Sequence, residues 1–446
     1  MMMQLYSITK KVVLYLFLSH GSMVMAQQDS LKISLGELFK MADAGNKQIK
    51  LSNALLERSQ VVVRDKKNDR LPTVGVNGSV GYLTNVGVIG LGTMNSGFYD
   101  MPHFSNSYAL QAGLVLYSGG KVTTAIDMAK IENRIAGLDL TRDSQSIRLM
   151  LTGYFLDLYK GYNQKKVFEK NITLGRDLLK KITNRYQSGA ALKSDLIRNE
   201  LLVSTYELAL SKLTDRIAIT NYNIISMLAL AQGTVLIPQA VEIPQASAEL
   251  IGNDSIEKVI KTALAGNADY QKYALRVALA QKRKQLVKSS DYPQIDLFVN
   301  STFARPYTFD IPAKDIYAYN NAIGLRVSYS LSNLYQSGRK KDIAQSDISI
   351  ATLTQELAKE SLSREVNSGF INLKQSFNQL NTLYKQQELA QENYKRIADS
   401  YLEQLTLNTE VTDASNQRLE ADLRVTDAQA EILFNYFQLL KSLGQL

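Results

Sequence analysis

The stretch Phe155-Leu156-Asp157-Leu158, followed by Tyr162-Asn163-Gln164, returns in the second half of the chain as Phe370-Ile371-Asn372-Leu373 and Phe377-Asn378-Gln379. The same offset aligns Tyr186 with Tyr401, Leu192 with Leu407, and Ser194-Asp195-Leu196 with Thr409-Glu410-Val411. Upstream the offset drifts: Leu71-Pro72 answers Tyr292-Pro293, and Tyr117-Ser-Gly-Gly-Lys121 answers Tyr335-Gln-Ser-Gly-Arg339. Such drift places insertions in loops between strands. A period this long is no solenoid unit, so the chain is a duplicated half-subunit.

Each half reads as a helix, two strands, a long helix and a shorter helix. Val366, Phe370, Leu373, Phe377, Leu380 and Tyr384 alternate steps of four and three, an a/d seam that packs knobs into holes. Leu151, Phe155, Leu158 and Tyr162 repeat part of it. No proline interrupts 120–189 or 338–404. At 1.5 Å per residue each run can extend about 100 Å, a length that suits a coiled-coil tube rather than a compact domain.

Four other segments change period. Val74, Val76, Val80 and Tyr82 share one strand face, with Thr73, Asn77 and Ser79 on the other. Leu110, Ala112, Leu114 and Leu116 alternate with Gln111 and Gly113; Ile295, Leu297, Val299 and Phe303 alternate with Gln294, Asp296, Asn300 and Thr302. Ile323, Leu325, Val327, Tyr329 and Leu331 alternate with Gly324, Arg326, Ser328 and Ser330. Each segment has the length and two-faced character of an outer-membrane strand. The expected organisation is repeat one over about 31–232 with strands at 72–84 and 106–118, then an equatorial linker at 233–254. Repeat two follows over 255–446, with strands at 293–305 and 320–332. Tyr82, Tyr108, Phe303, Tyr307 and Tyr329 can furnish an interfacial girdle. A soluble β-sandwich is the plain alternative, but the helices already have their own seam. Four strands cannot close a barrel, whose smallest form has about eight. Copies of the chain must share one, and closed cyclic symmetry is the expected solution.

Composition narrows the function classes. Lys10 and Lys11, the apolar run Val12–Leu18 and the small-residue site Val24-Met25-Ala26 read as an export signal over residues 1–26. The apolar run is short of the about 20 residues a membrane helix needs. No cysteine occurs, which excludes disulfides, thiolate metal sites and a cysteine-borne lipid anchor. The formal charge of +9 is spread along the chain, and an export signal argues against a nucleic-acid partner. His20 leaves with the signal, so His103 alone remains; histidine triads and multi-histidine metal sites are excluded. Ser118-Gly119-Gly120-Lys121 lacks the spacing of a phosphate loop and reads as a turn. No cofactor and no catalysis are expected.

With signal, duplication, paired strands after Leu-Pro or Tyr-Pro, and the tip Arg185-Tyr-Gln-Ser-Gly189 leading to Ser194-Asp195-Leu196, the chain resembles the TolC family of outer-membrane efflux and export channels. The resemblance implies an α+β membrane protein. Three subunits share one 12-stranded β-barrel, continued by a helical coiled-coil tunnel in the periplasm with a short mixed equatorial region. It implies a homotrimer embedded in outer-membrane lipid. The trimer docks a periplasmic adaptor and an inner-membrane pump, and passes cargo without chemistry of its own. It also implies that Glu410 and Asp413 ring the periplasmic constriction, while Ser194, Asp195 and Tyr401 hold the tip closed. Thr406 stands where the family pattern has an Arg, which puts one charged clamp in doubt. Gln404 replaces the turn glycine that Gly189 supplies in the first half, so the second tip is expected to turn differently. Read as ordinary helix chemistry, Ser194 and Thr409 are caps for the returning helices, with Asp195 and Glu410 near the positive dipole end. A surface-anchored adhesive trimer and a periplasmic adaptor are the competing classes. The cargo is not legible.

Overall fold

The computed structural model describes residues 30–90, 96–253 and 255–446; the expected export signal lies outside the described residues. The chain divides into two compact units. One comprises Gln48–Ser146, Asn253–Phe370 and Gln438–Leu446; the other comprises Ile147–Gly252, Ile371–Phe437 and the segment ending at Lys47.

The first unit contains the sheet. Its strands are β2 (Thr73–Tyr82), β5 (Phe104–Tyr117), β7 (Gln294–Arg305) and β8 (Ala318–Ser328), all antiparallel in the order β2-β5-β7-β8. β5 and β8 each begin slightly before the expected starts. Facing residues share a face, so the register sorts the sheet into two surfaces. Val74, Ala112, Val299 and Ile323 form one row of the first surface; Leu114, Leu297 and Leu325 form the next. Asn77, Ala109, Thr302 and Asn320 form a row of the second. The first surface is mostly apolar, with aromatic residues toward the loops; the second is mostly small and polar, but also carries Phe298, which lies against Gly324 and under the Arg326 guanidinium.

One apolar assignment fails locally. The register shifts between Val115 and Tyr117, so Tyr117 rather than Leu116 faces Ile295. A bulge adds one residue on β5 and thereby reverses the alternation. The apolar surface has no covering layer among the described residues: Val76 is 77% exposed and Ile323 74%. A soluble sandwich would bury these side chains, so that alternative is set aside.

Two loop readings also change. The segment 85–105 holds a short hairpin, β3 (Val86–Val88) with β4 (Gly97–Tyr99). The second long helix starts at Asn333, so Tyr329 and Leu331 fall outside β8, and Tyr335–Arg339 lies within helix. Its supposed match, Ser118–Lys121, is a true turn with Gly119 and Gly120 at φ +60° and +83°. The two stretches therefore differ in conformation.

The register gives the true offsets. Pro72 stands just before β2 as Pro293 does before β7, so Gln294 answers Thr73; because Thr73 faces Gly113 and Gln294 faces Ser328, Ser328 then answers Gly113. The second strand of each hairpin keeps the offset that relates Phe155 to Phe370, and the first strand has a longer one. The whole difference falls within the hairpin loops, 83–103 in the first half and 306–317 in the second.

The helix opening each half is in fact two. α1 (Leu35–Gly45) and α2 (Lys47–Asn68) are matched by α6 (Ile256–Gly266) and α7 (Ala268–Ser289), with α5 (Gln245–Asn253) preceding the second pair. The break is a repeated Ala-Gly-Asn. A Cβ on Gly45 would sit 2.6 Å from the Leu228 carbonyl oxygen, and one on Gly266 2.4 Å from that of Leu443. Asn46 and Asn267 then donate side-chain N–H groups to Met227 (3.0 Å) and Ser442 (3.1 Å) carbonyls. Only glycine permits so close a backbone approach. Ser34 starts α1 with a full capping box, in which Glu37 accepts from the Ser34 N–H at 2.8 Å. That backbone bond, with the Ser34 hydroxyl second, holds the Glu37 carboxyl below its ordinary range.

Four long helices dominate the chain: α3 (Lys121–Gln187), α4 (Lys193–Leu228), α8 (Asn333–Leu402) and α9 (Asn408–Leu443). No described helix is long and apolar enough to cross a membrane. The seam residues Leu151, Phe155 and Leu158 are fully buried, as are Val366 and Leu373. Each such side chain contributes about 1.5–3 kcal/mol. Phe370, Phe377 and Tyr162 are half-buried, and Tyr384 is 44% exposed, so the stripe is narrower than its sequence pattern. In the second unit β1 (Ser30–Ile33) pairs in parallel with β6 (Val235–Pro238), inside the expected linker.

Candidate functional site at the helical turns

Where α3 gives way to α4, Gly189 adopts φ +75°. The Ala190 N–H reaches back to the Arg185 carbonyl (2.7 Å) and the Gly189 N–H to that of Tyr186 (3.0 Å). This pair of bonds is a Schellman stop, which closes the last turn's orphan carbonyls. The second turn is expected from the sequence to differ, and it does not. Gln404 takes φ +65°, with Leu405 bonded to Ser400 (2.9 Å) and Gln404 to Tyr401 (3.0 Å), the same pattern as at the first turn. The hydrogen bonds dictate the turn, and Gln404 carries a backbone strain that Gly189 avoids.

The capping expectation is corrected as well. The N-cap of α4 is Leu192, whose side chain makes no cap bond, and Ser194 is already the second helical residue. Thr409 is likewise the second residue of α9. Leu192 is extended at φ −82°, ψ 152°, and it and Leu407, which directly precedes α9, are both largely exposed.

The structure joins Asp195 and Tyr401. The Tyr401 hydroxyl donates to Asp195 Oδ2 at 3.4 Å, linking α8 to α4. Tyr401 packs with Leu178, Ile182 and Val411. Burial, then the charge of Asp195, holds its phenol above the ordinary range, so it remains a neutral donor. Thr406 does not replace the missing Arg; its hydroxyl donates to Glu410. A cation does reach this turn from the first repeat, where Arg185 Nη1 donates to the Leu402 carbonyl at 2.5 Å. Glu410 and Asp413 stand one turn apart on an exposed face of α9, while Val411 and Ala414 turn into the core.

A second set of contacts was missed from sequence. Asn199 and Asn408, both buried, bond side chain to side chain at 2.9 Å, and each also donates to the Asp195 carbonyl. Further along, Tyr206 meets Ser415 (3.2 Å) and Asn416 (2.9 Å). Arg418 bonds Asn171 and lies 3.9 Å above the Tyr394 ring. Asp422 accepts from Gln387 (2.8 Å) and Gln391 (2.9 Å). Buried Asn408, Ser415 and Asp422 recur at heptad spacing along α9, a series of polar positions that fixes helix register.

No family model and no curated protein matches the sequence. Solved structures do match. The outer-membrane channel OprN superposes with a TM-score of 0.75 at 16% identity, covering 92% of this chain and 90% of that one. The outer membrane protein VceC from Vibrio cholerae gives 0.75 at 14%, covering 92% and 96%. CusC, whose structures describe transmembrane channel formation, gives 0.76 at 14%, covering 92% of each chain. The chain has the outer-membrane channel fold. That fold is the one implied by the resemblance to the TolC family, and Gly189 and Gln404 lie at matching points of this chain's two repeats.

Proposed function

We propose that the chain is one subunit of a homotrimeric outer-membrane channel, exported by residues 1–26, which conducts cargo passively from a periplasmic adaptor and an inner-membrane pump to the exterior. The observation that carries this reading is the four-stranded sheet. Its apolar surface is bare and its two edges are unpaired among the described residues. Unpaired backbone groups are very costly in lipid, so a membrane home requires edges closed by further copies. Three copies supply twelve strands, with the small polar surface lining the lumen. The likeness to OprN, VceC and CusC supports the same reading. Glu410 and Asp413 from three copies form an acidic ring at the periplasmic entrance, and the Asp195–Tyr401 bond with the Arg185 clamp holds that entrance narrow.

Mass measurement of outer-membrane extracts in mild detergent tests this proposal. A trimer is expected, and it should open discrete conductances in planar bilayers. A stable monomer, or a trimer without conductance, would refute it.

A further inference from the structure

The internal duplication specifies how the open edges of β2 and β8 meet. Each half contributes one hairpin, β2–β5 and β7–β8. The seam between β5 and β7 joins a first-half hairpin to a second-half hairpin. Its counterpart is β8 against the β2 of another copy. In the observed seam Tyr108 faces Phe303, Leu110 faces Ser301 and Ala112 faces Val299. The second strand of the hairpin recurs at the offset of Gly113 to Ser328, and the first at that of Thr73 to Gln294. Carried through those offsets, the three pairs become Ile323 with Tyr82, Leu325 with Val80, and Val327 with Gly78.

We propose that β8 of one copy pairs antiparallel with β2 of the next in this register. The proposal rests on the trimeric-channel reading above and adds which residues meet. An independent property of the sheet supports it. Ile323, Leu325 and Val327 lie on the apolar surface, and so do Gly78, Val80 and Tyr82. The derived register therefore sets apolar against apolar, whereas an error of one residue would have set apolar against polar. On the other surface it sets Arg326 against Ser79 and Gly324 against Gly81. Val80, Tyr82, Ile323, Leu325 and Val327 are all largely exposed in the single chain, as unmated edges should be. Alternation still permits slips of two residues, and these are the real competitors.

The chain has no cysteine, so engineered pairs report without background. Facing residues of an antiparallel pair have Cα atoms about 4.5–5.5 Å apart, within the span of a disulfide. Diagonal neighbours at about 7–8 Å lie beyond it. On mild oxidation of outer membranes, the double variant Val80→Cys, Leu325→Cys should give covalent dimers and trimers on denaturing gels. The slipped pairs Val80→Cys, Ile323→Cys and Val80→Cys, Val327→Cys should give several-fold less. Trimer content of each variant is measured in parallel in mild detergent. If a slipped pair cross-links best, or no pair cross-links in an intact trimer, the register is refuted while the trimer stands. If the unmodified chain and every variant are monomeric, the trimeric reading itself fails.

Discussion

Replacing Gln404 with Gly should strengthen the second turn although it removes a side chain. Gln404 sits at φ +65°, a conformation that costs an L-residue about 1–2 kcal/mol. Glycine removes that strain but loses more freedom on folding, about 0.5–1 kcal/mol. The net gain is about 0.5–1 kcal/mol, and it acts where the turn opens. Gly189 provides the mirror experiment. A Cβ there meets nothing within 4 Å, so Gly189→Ala imposes the backbone strain without a clash and should weaken the first turn by a similar amount. Hydrogen exchange read by mass spectrometry on peptides spanning 399–407 and 184–192 measures both. Exchange at the end of α8 should slow by about threefold in Gln404→Gly, and at the end of α3 quicken by about threefold in Gly189→Ala. The ends of α4 and α9 repeat the contrast: Ala229 has φ +55° and Gly444 φ +74°, each with the same pair of back-reaching bonds. There Ala229→Gly should stabilise, while Gly444→Ala should cost more than Gly189→Ala, because its Cβ would lie 2.2 Å from the Gly266 oxygen. Unchanged or faster exchange in Gln404→Gly, together with no effect of Gly189→Ala, would show that the positive φ carries no strain at these turns.

Leu114→Arg should lower outer-membrane trimer yield more than Asn77→Arg, because Leu114 shares the apolar surface with Leu297 and Leu325 while Asn77 lies on the polar one. The lipid-facing charge costs about 2–4 kcal/mol per copy near the midplane, and equal or reversed yields would overturn the facing. Glu410→Ala with Asp413→Ala should weaken cation selectivity and block by multivalent cations in planar bilayers, with trimer yield unchanged. Wild-type selectivity would leave the two carboxylates as solvated helix-end groups. Tyr401→Phe and Asp195→Ala should raise basal conductance, and Arg185→Ala should do so further by freeing the Leu402 carbonyl; a conductance indifferent to all three would remove the gate role.

Strand faces were legible because alternation is a local property that each strand states for itself, and the bulge at Val115–Tyr117 escaped because register depends on the neighbour. The second turn was misjudged for a related reason. Glycine is the usual occupant of a Schellman stop, but its absence at Gln404 does not abolish the stop when the bonds from Gln404 and Leu405 outweigh a strain of about 1–2 kcal/mol. The Ala-Gly-Asn breaks and the Asn408, Ser415, Asp422 heptad were visible in sequence, yet both look polar and ordinary until a second helix is brought against them. The Arg185 clamp shows the deeper limit. A resemblance carries a role to the position that matches, which here is Thr406, whereas the cation that bonds the end of α8 is Arg185, from the other repeat. Arg185 and Thr406 lie on opposite sides of the duplication, and each bonds within the second turn, one to Leu402 and the other to Glu410. In a chain built twice, a function lost at one position is best sought near its counterpart in the other half. The geometry of the site is shared between the two, and the side chains that fill it are not.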